Sequence, residues 1–115
     1  MVMSFTLKMS GVIVGRSELE NRDATGSRAT GVFRPGLGYD LVQPIFDLYE
    51  SAGDSAEALS RYRKSRDALH LELIDSSGNA VALRELHIRR HASSGAPVLE
   101  VETDDPVFRI HSSGT

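Results

Sequence analysis

The stretch GVFRPGLGYDLVQPIF, Gly31 to Phe46, holds three glycines and two prolines in sixteen residues and then becomes apolar with helical spacing. Two readings compete for it: a glycine loop that cradles a phosphate, or a corner where a strand gives way to a helix. A Walker loop ends in Gly-Lys-Ser/Thr so that a lysine and a hydroxyl reach phosphate and magnesium, and RPGLGYD has neither. A dinucleotide fingerprint needs a third glycine where this chain has Leu41. What survives is the generic affinity of a helix N-terminus for anions, and Asp40 in the first turn already complements that dipole. The corner reading is therefore the expectation.

From Tyr39 onward Leu41, Ile45, Leu48 and Ala52 fall at i, i+4, i+7 and i+11, flanked by Val42, Phe46 and Tyr49, the strongest amphipathic pattern in the chain. The spacing predicts a helix that starts at Tyr39, tolerates Pro44 in its first turn or as a kink, and ends near Gly53. Asp54 and Glu57 make a variant capping box for a second helix. Ala58, Leu59, Tyr62 and Leu69 form its thin apolar stripe, and Glu57 and Arg61 an i,i+4 ion pair.

Before the corner, Phe5, Leu7 and Met9 alternate with polar residues as a half-buried strand does. Gly11 is read as a bulge or bend, after which Val12, Ile13 and Val14 continue with opposite parity. Arg16 to Thr30 is polar and turn-rich and reads as a connection, with room for a short helical turn at Ser17 to Asn21. Thr30 to Arg34 then reads as a second strand, paired with the first and closed by Pro35, which has no amide to donate.

After the helices, LHLELIDSSGNAVAL reads as a hairpin. A Ser76-Ser77-Gly78 loop, with Gly78 left-handed, would pair residue 73 with 81 and 71 with 83. A parity change near Arg84 and Glu85 implies a bulge before Leu86 and Ile88. VLEVET is a further strand with Leu99 and Val101 inward. DDP is a turn, Val107, Phe108 and Ile110 form one more strand or dock on the core, and HSSGT frays. The expected fold class is α+β: one domain over residues 1–115, an antiparallel sheet of about five strands with two helices on one face, in the order ββααβββ.

Composition limits function more than it identifies one. With 115 residues, 40% hydrophobic, 25% charged and a net charge of -3, the chain has the make-up of a globular domain without a basic field to gather nucleic acid. It has no cysteine, which excludes a disulfide framework, a thiolate nucleophile and cysteine-based metal sites and fits a reducing cytoplasm. No stretch approaches a membrane span of about 20 apolar residues, and the N-terminus lacks a signal-peptide core. Abundant Ala, Gly, Arg and Asp fits a GC-rich bacterial genome.

Each candidate site has a plainer reading. His87 and His91 share a strand face about 13 Å apart, too far for one metal ion. His70 and His87, with Glu72 or Glu85, could meet on the outer sheet face, but a solvated polar face explains them better. Arg61 and Lys64 point one way from the second helix and Arg63 and Arg66 nearly the opposite way, so they form no basic stripe. Arg66 could lay its methylenes along the apolar edge. No nucleophile elbow or Ser-x-x-Lys is present, and the acidic pairs sit in turn sequence.

The expectation is a non-enzymatic protein-interaction domain that homodimerises, with one further protein partner of unspecified identity, because the strands carry more apolar surface than two helices cover. Val12 and Val14 would face the second copy. The alternative is a small-ligand binder or enzyme with a pocket between helices and sheet, lined by Phe33, Phe46 and Tyr49 with Arg28 as one anchor. Its chief ligand-binding residues would be Arg34, Tyr39 and Tyr62. An RNA-binding module ranks third and would show steep salt dependence. No catalytic residue, metal ligand or cofactor is assigned.

Overall fold

A computed structural model describes residues 4–104. Its α+β class agrees with the sequence, but the strands form two antiparallel four-stranded sheets rather than one of five. The first is ordered β5-β2-β1-β6, from Arg34–Pro35, Val12–Ser17, Phe5–Met9 and Leu71–Ile74. The second is ordered β3-β4-β8-β7, from Asn21–Arg22, Arg28–Val32, Pro97–Glu102 and Glu85–Arg90. Helices α1, Tyr39–Ala52, and α2, Ala56–Asp67, lie between β5 and β6 in the chain.

The N-terminal segment is a hairpin, not a bent strand. Met9 pairs with Val12, and between them Ser10 and Gly11 have φ of 50° and 81°, the left-handed pair that a two-residue hairpin turn of the right twist demands. The bulge lies further along, where Leu7 pairs with Gly15 and Lys8 with Ile13, leaving Val14 without a partner. That extra residue turns Val14 into the core, where it is fully buried, whereas Val12 stays 41% exposed. The expectation that both valines face outward is corrected accordingly.

The chain passes between the sheets at two short stretches early in the fold. Leu19, fully buried with φ of 45°, lies between β2 and β3, its amide held by Ser17 Oγ at 3.1 Å. Phe33, 1% exposed, lies between β4 and β5. The segment expected to pair wholly with the first strand is thus divided: β4 pairs with β3 and β8, and only Arg34 and Pro35 pair with β2. Pro35 sits on an edge strand, the place where a missing amide breaks no ladder. Side chains of both sheets and both helices join one hydrophobic cluster that includes Phe5, Leu7, Phe33, Phe46, Tyr62, Leu73 and Leu99.

Helix α1 has the expected bounds but a rotated face. Val42, Phe46 and Ala52 are buried, whereas Leu41 and Leu48 are 62% and 46% exposed, and Pro44 lies inside the helix rather than in its first turn. The bulkier Phe46, with Val42 one turn before it, takes the core position. Helix α2 begins one residue later than the sequence suggests, with Ser55 Oγ accepting from the Ala58 amide and Arg61 reaching Glu57 at 2.7 Å. Gly78 is left-handed, the Val81 amide donates to Leu73 O and Ile74 bridges Ala80, as expected, but residues 81–83 do not continue as a strand opposite 71, and the extended ladder of β6 is formed along its other edge with β1. The expected strand at 107–110 and the frayed tail lie outside the described residues.

Candidate functional site

The opening corner turns both of its later glycine amides toward β2. The Gly36 amide donates to Val14 O at 2.8 Å and the Gly38 amide to Ile13 O at 2.9 Å, so two amides that could face an anion are spent on β2. The glycines serve that approach: a Cβ on Gly38 would stand 2.9 Å from Val12 Cγ1, and one on Gly36 3.0 Å from Ile13 O. Arg34 is exposed and 3.8 Å from Glu18, and Tyr39 rests half-buried against Phe33 with ring centroids 5.6 Å apart. Burial raises the Tyr39 pKa, with Arg90 and Asp47 near enough to act on it.

Tyr62, the third residue singled out, belongs to a different assembly. Its hydroxyl lies 2.8 Å from His87 Nδ1 and donates at 3.3 Å to Leu86 O in the other available orientation. Tyr49 stacks on the His87 ring at 4.2 Å with the planes 2° apart, and the Arg66 guanidinium lies 5.5 Å from the centre of the Tyr62 ring. Glu85 Oε1 accepts from Arg66 and lies 3.0 Å from His87 Nε2, with Arg63 at 3.3 Å. The strand period explains the set: Glu85 and His87 are two apart on β7 and share a face, and two helical turns present Tyr62 and Arg66 to them.

These contacts also cover a sheet edge. β7 ends the order of its sheet, and its outward backbone groups are met by side chains: Leu86 O by Tyr62 and Arg66, the Arg90 amide by Glu50. Arg90 itself reaches Asp47. The helices are thus laid along the exposed edge of β7 and tied to it from both α1 and α2.

The electrostatics follow from this packing. Burial lowers the His87 pKa despite the attraction of Glu85, and the neutral ring with Nε2–H toward Glu85 and Nδ1 accepting from Tyr62 satisfies both nitrogens. Burial alone would raise Glu85, but the hydrogen bonds and charges of Arg66 and Arg63 outweigh it and hold the carboxyl below its ordinary value. Tyr62 is raised by the same desolvation. With both ring nitrogens engaged, His87 has no lone pair to offer a metal or a substrate in this arrangement. The group acts as a clamp between helices and sheet.

Among the described residues, three hollows on the surface stand out. One of about 190 Å³ lies between the end of α2 and residues 83–86, walled by Arg66, His70, Leu71 and Leu83. One of about 440 Å³ lies over the outer face of the second sheet, with Arg22, Arg28, Thr30 and Glu100 around the Tyr49–His87 stack. The third, about 290 Å³ and largely apolar, lies between α1 and α2. Tyr62 contributes to the third, whereas Arg34 and Tyr39 line none of the three, so the three residues do not converge. Among the described residues His91 lies beyond β7 with Nδ1 bound by Ser93, and no three His, Cys, Asp or Glu side chains stand together as metal ligands would.

The most distinctive surface is apolar. Leu37, in the turn before α1, is 98% exposed, and Leu41 and Leu48 on α1, Val12 on β2 and Val32 on β4 are exposed as well. The sequence already named Leu41 and Leu48 but assigned them inward; their exposure became visible only once Val42 and Phe46 had claimed the core. No helix among the described residues is long and apolar enough to cross a membrane. No family model, curated protein or solved structure matches the chain.

Proposed function

We propose that this is a non-enzymatic interaction domain that homodimerises through the open side of α1. The observation that carries the reading is Leu37, left 98% exposed in the turn just before α1, with Leu41 and Leu48 exposed on the helix that follows. Scattered apolar residues are ordinary on a surface, but three exposed leucines within twelve residues of chain support a contact at this place. The engaged nitrogens of His87 support a structural rather than a chemical role for the buried polar group. Reducing-cytoplasm residence is part of the same reading, supported by the absence of cysteine.

Sedimentation velocity tests it. The wild-type chain should sediment as a dimer at micromolar concentration and Leu41→Asp as a monomer with unchanged circular dichroism. A wild-type monomer up to the millimolar range would overturn the reading.

A second reading has its own observation, the hollow of about 440 Å³ in which the Tyr49–His87 stack forms an aromatic wall beside Arg22 and Arg28. It would take a small anionic or planar ligand. Amide shifts of Thr30, Tyr49 and His87 on titration with a fragment library test it, and no shift in that group would sink it. RNA binding is weaker still, because Arg61, Arg63 and Arg66 are each paired with a carboxylate.

A further inference from the structure

The buried clamp between helices and sheet holds one hydroxyl with two acceptors. Tyr62 Oη stands 2.8 Å from His87 Nδ1 and 3.3 Å from Leu86 O, and its single proton serves one of them at a time. Which one it serves is set by the imidazole. Arg66 and Arg63 hold Glu85 as a carboxylate, which only accepts, so His87 Nε2, facing it at 3.0 Å, carries a proton. In the neutral ring Nδ1 is therefore a bare lone pair, and the Tyr62 hydroxyl donates to it.

A proton added to this ring goes to Nδ1. The imidazolium then donates from Nδ1 to Tyr62 Oη, and the hydroxyl, which keeps its own proton, must turn it elsewhere. Leu86 O is the acceptor within reach: it already takes Arg66 Nη1 at 3.3 Å, and a carbonyl has a second lone pair to offer. We infer that Tyr62, His87 and Leu86 form a proton-driven hydrogen-bond switch, in which charging the ring swings the Tyr62 hydroxyl from Nδ1 to the backbone of β7 while the helices stay clamped. In either state the hydroxyl and every ring N–H of His87 has an acceptor.

Opposing influences surround the ring. Burial resists its charging, Glu85 on β7 favours it, and beyond them Arg66 and Arg63 of α2 act against Glu100 of β8. Glu100 is itself engaged by Arg89 of β7 at 2.8 Å. From α1 the Tyr49 ring lies parallel to the imidazole at 4.2 Å, where an aromatic face attracts a cation. Burial raises the Tyr62 pKa, so its hydroxyl retains its proton while the imidazole titrates. His87 and Tyr49 border the hollow of about 440 Å³, which gives protons from solvent a route to the ring.

Carbon and nitrogen NMR of the wild-type chain, titrated downward from about pH 7.5, tests the switch. Above the His87 midpoint Nδ1 should show the shift of an unprotonated ring nitrogen and Nε2 that of a protonated one. At that midpoint the Leu86 carbonyl carbon and Tyr62 Cζ should each shift in one step, while the amides of α2 keep their folded positions. In Tyr62→Phe the ring should still titrate, and the Leu86 step should shrink to the small effect of the ring's charge. Four results would each overturn the switch: a neutral ring protonated on Nδ1, a Leu86 carbonyl that does not move, a Leu86 step of undiminished size in Tyr62→Phe, or unfolding at the His87 midpoint.

Discussion

The Tyr62 hydroxyl and His87 Nδ1 stand 2.8 Å apart, joining the middle of α2 to the edge strand of the second sheet across 25 residues of sequence. Tyr49 closes the other face of the ring from α1, so one imidazole meets both helices. Tyr62→Phe keeps the ring packing but strands Nδ1 in a buried site. It should cost about 1–2 kcal/mol, read from the urea midpoint with an unchanged slope.

Stability should fall with acid in two stages. The folded His87 has a pKa below its unfolded value of about 6.5, so between the two the unfolded chain binds more protons. The contribution is full above about pH 7 and is lost as pH drops through that window. Glu85, held below the ordinary carboxylate value of about 4.3, adds a loss at lower pH. His87→Gln should flatten the dependence between pH 7.5 and the first stage while keeping the second. An unaltered slope in that variant would assign the titration elsewhere.

Adjacent residues on α1 should respond in opposite ways. Val42 is fully buried and Leu41 is 62% exposed. Val42→Ala should cost about 2–3 kcal/mol and Leu41→Ala under about 0.5 kcal/mol in a monomeric background, by denaturant unfolding. The reverse order would mean that the helix sits with the face the sequence pattern first suggests.

Gly15 is held by close approach, not by backbone conformation. A Cβ there would meet Phe33 Cζ at 2.2 Å and Arg34 O at 2.6 Å, one of them backbone. Gly15→Ala should therefore destabilise by about 1–3 kcal/mol, whereas the same change in an open strand would be neutral or better. Thermal unfolding with and without a compensating Phe33→Leu would separate the two clashes.

Arg66 is the costliest charge to remove. It is 8% exposed and serves Glu85, Asp67 and Leu86 O together. Arg66→Met, which keeps the methylene packing the sequence anticipated, should still lose about 2 kcal/mol, because Glu85 and the Leu86 carbonyl each lose one of their donors in a half-buried site. Equal stability of Arg66→Met and wild type would reduce the residue to its packing.

What was legible in the sequence was local. The bounds of α1, the Glu57–Arg61 pair, the left-handed Gly78 and the 73–81 pairing all depend on neighbours a few residues away. The helix face was not legible, because Val42/Phe46 and Leu41/Leu48 offer two apolar stripes that differ by one position. Only the cluster beneath α1 decides between them. The division into two sheets was hidden because Phe33 alone separates β4 from β5, with no turn residue to mark the change. The site residues were within reach in part: the Glu85 and His87 alternation was visible, but its partners on α1 and α2 lie 19 to 38 positions away and depended on where the helices dock.

Leu19 and Phe33, both buried at the points where the chain crosses, act like two rivets through a pair of plates. Neither sheet can open its hydrogen bonds at β2–β5 or β3–β4 without drawing one of these side chains out of the shared cluster. The two sheets should consequently lose amide protection together rather than in turn, and a small chain with two separate ladders should melt as a single cooperative unit.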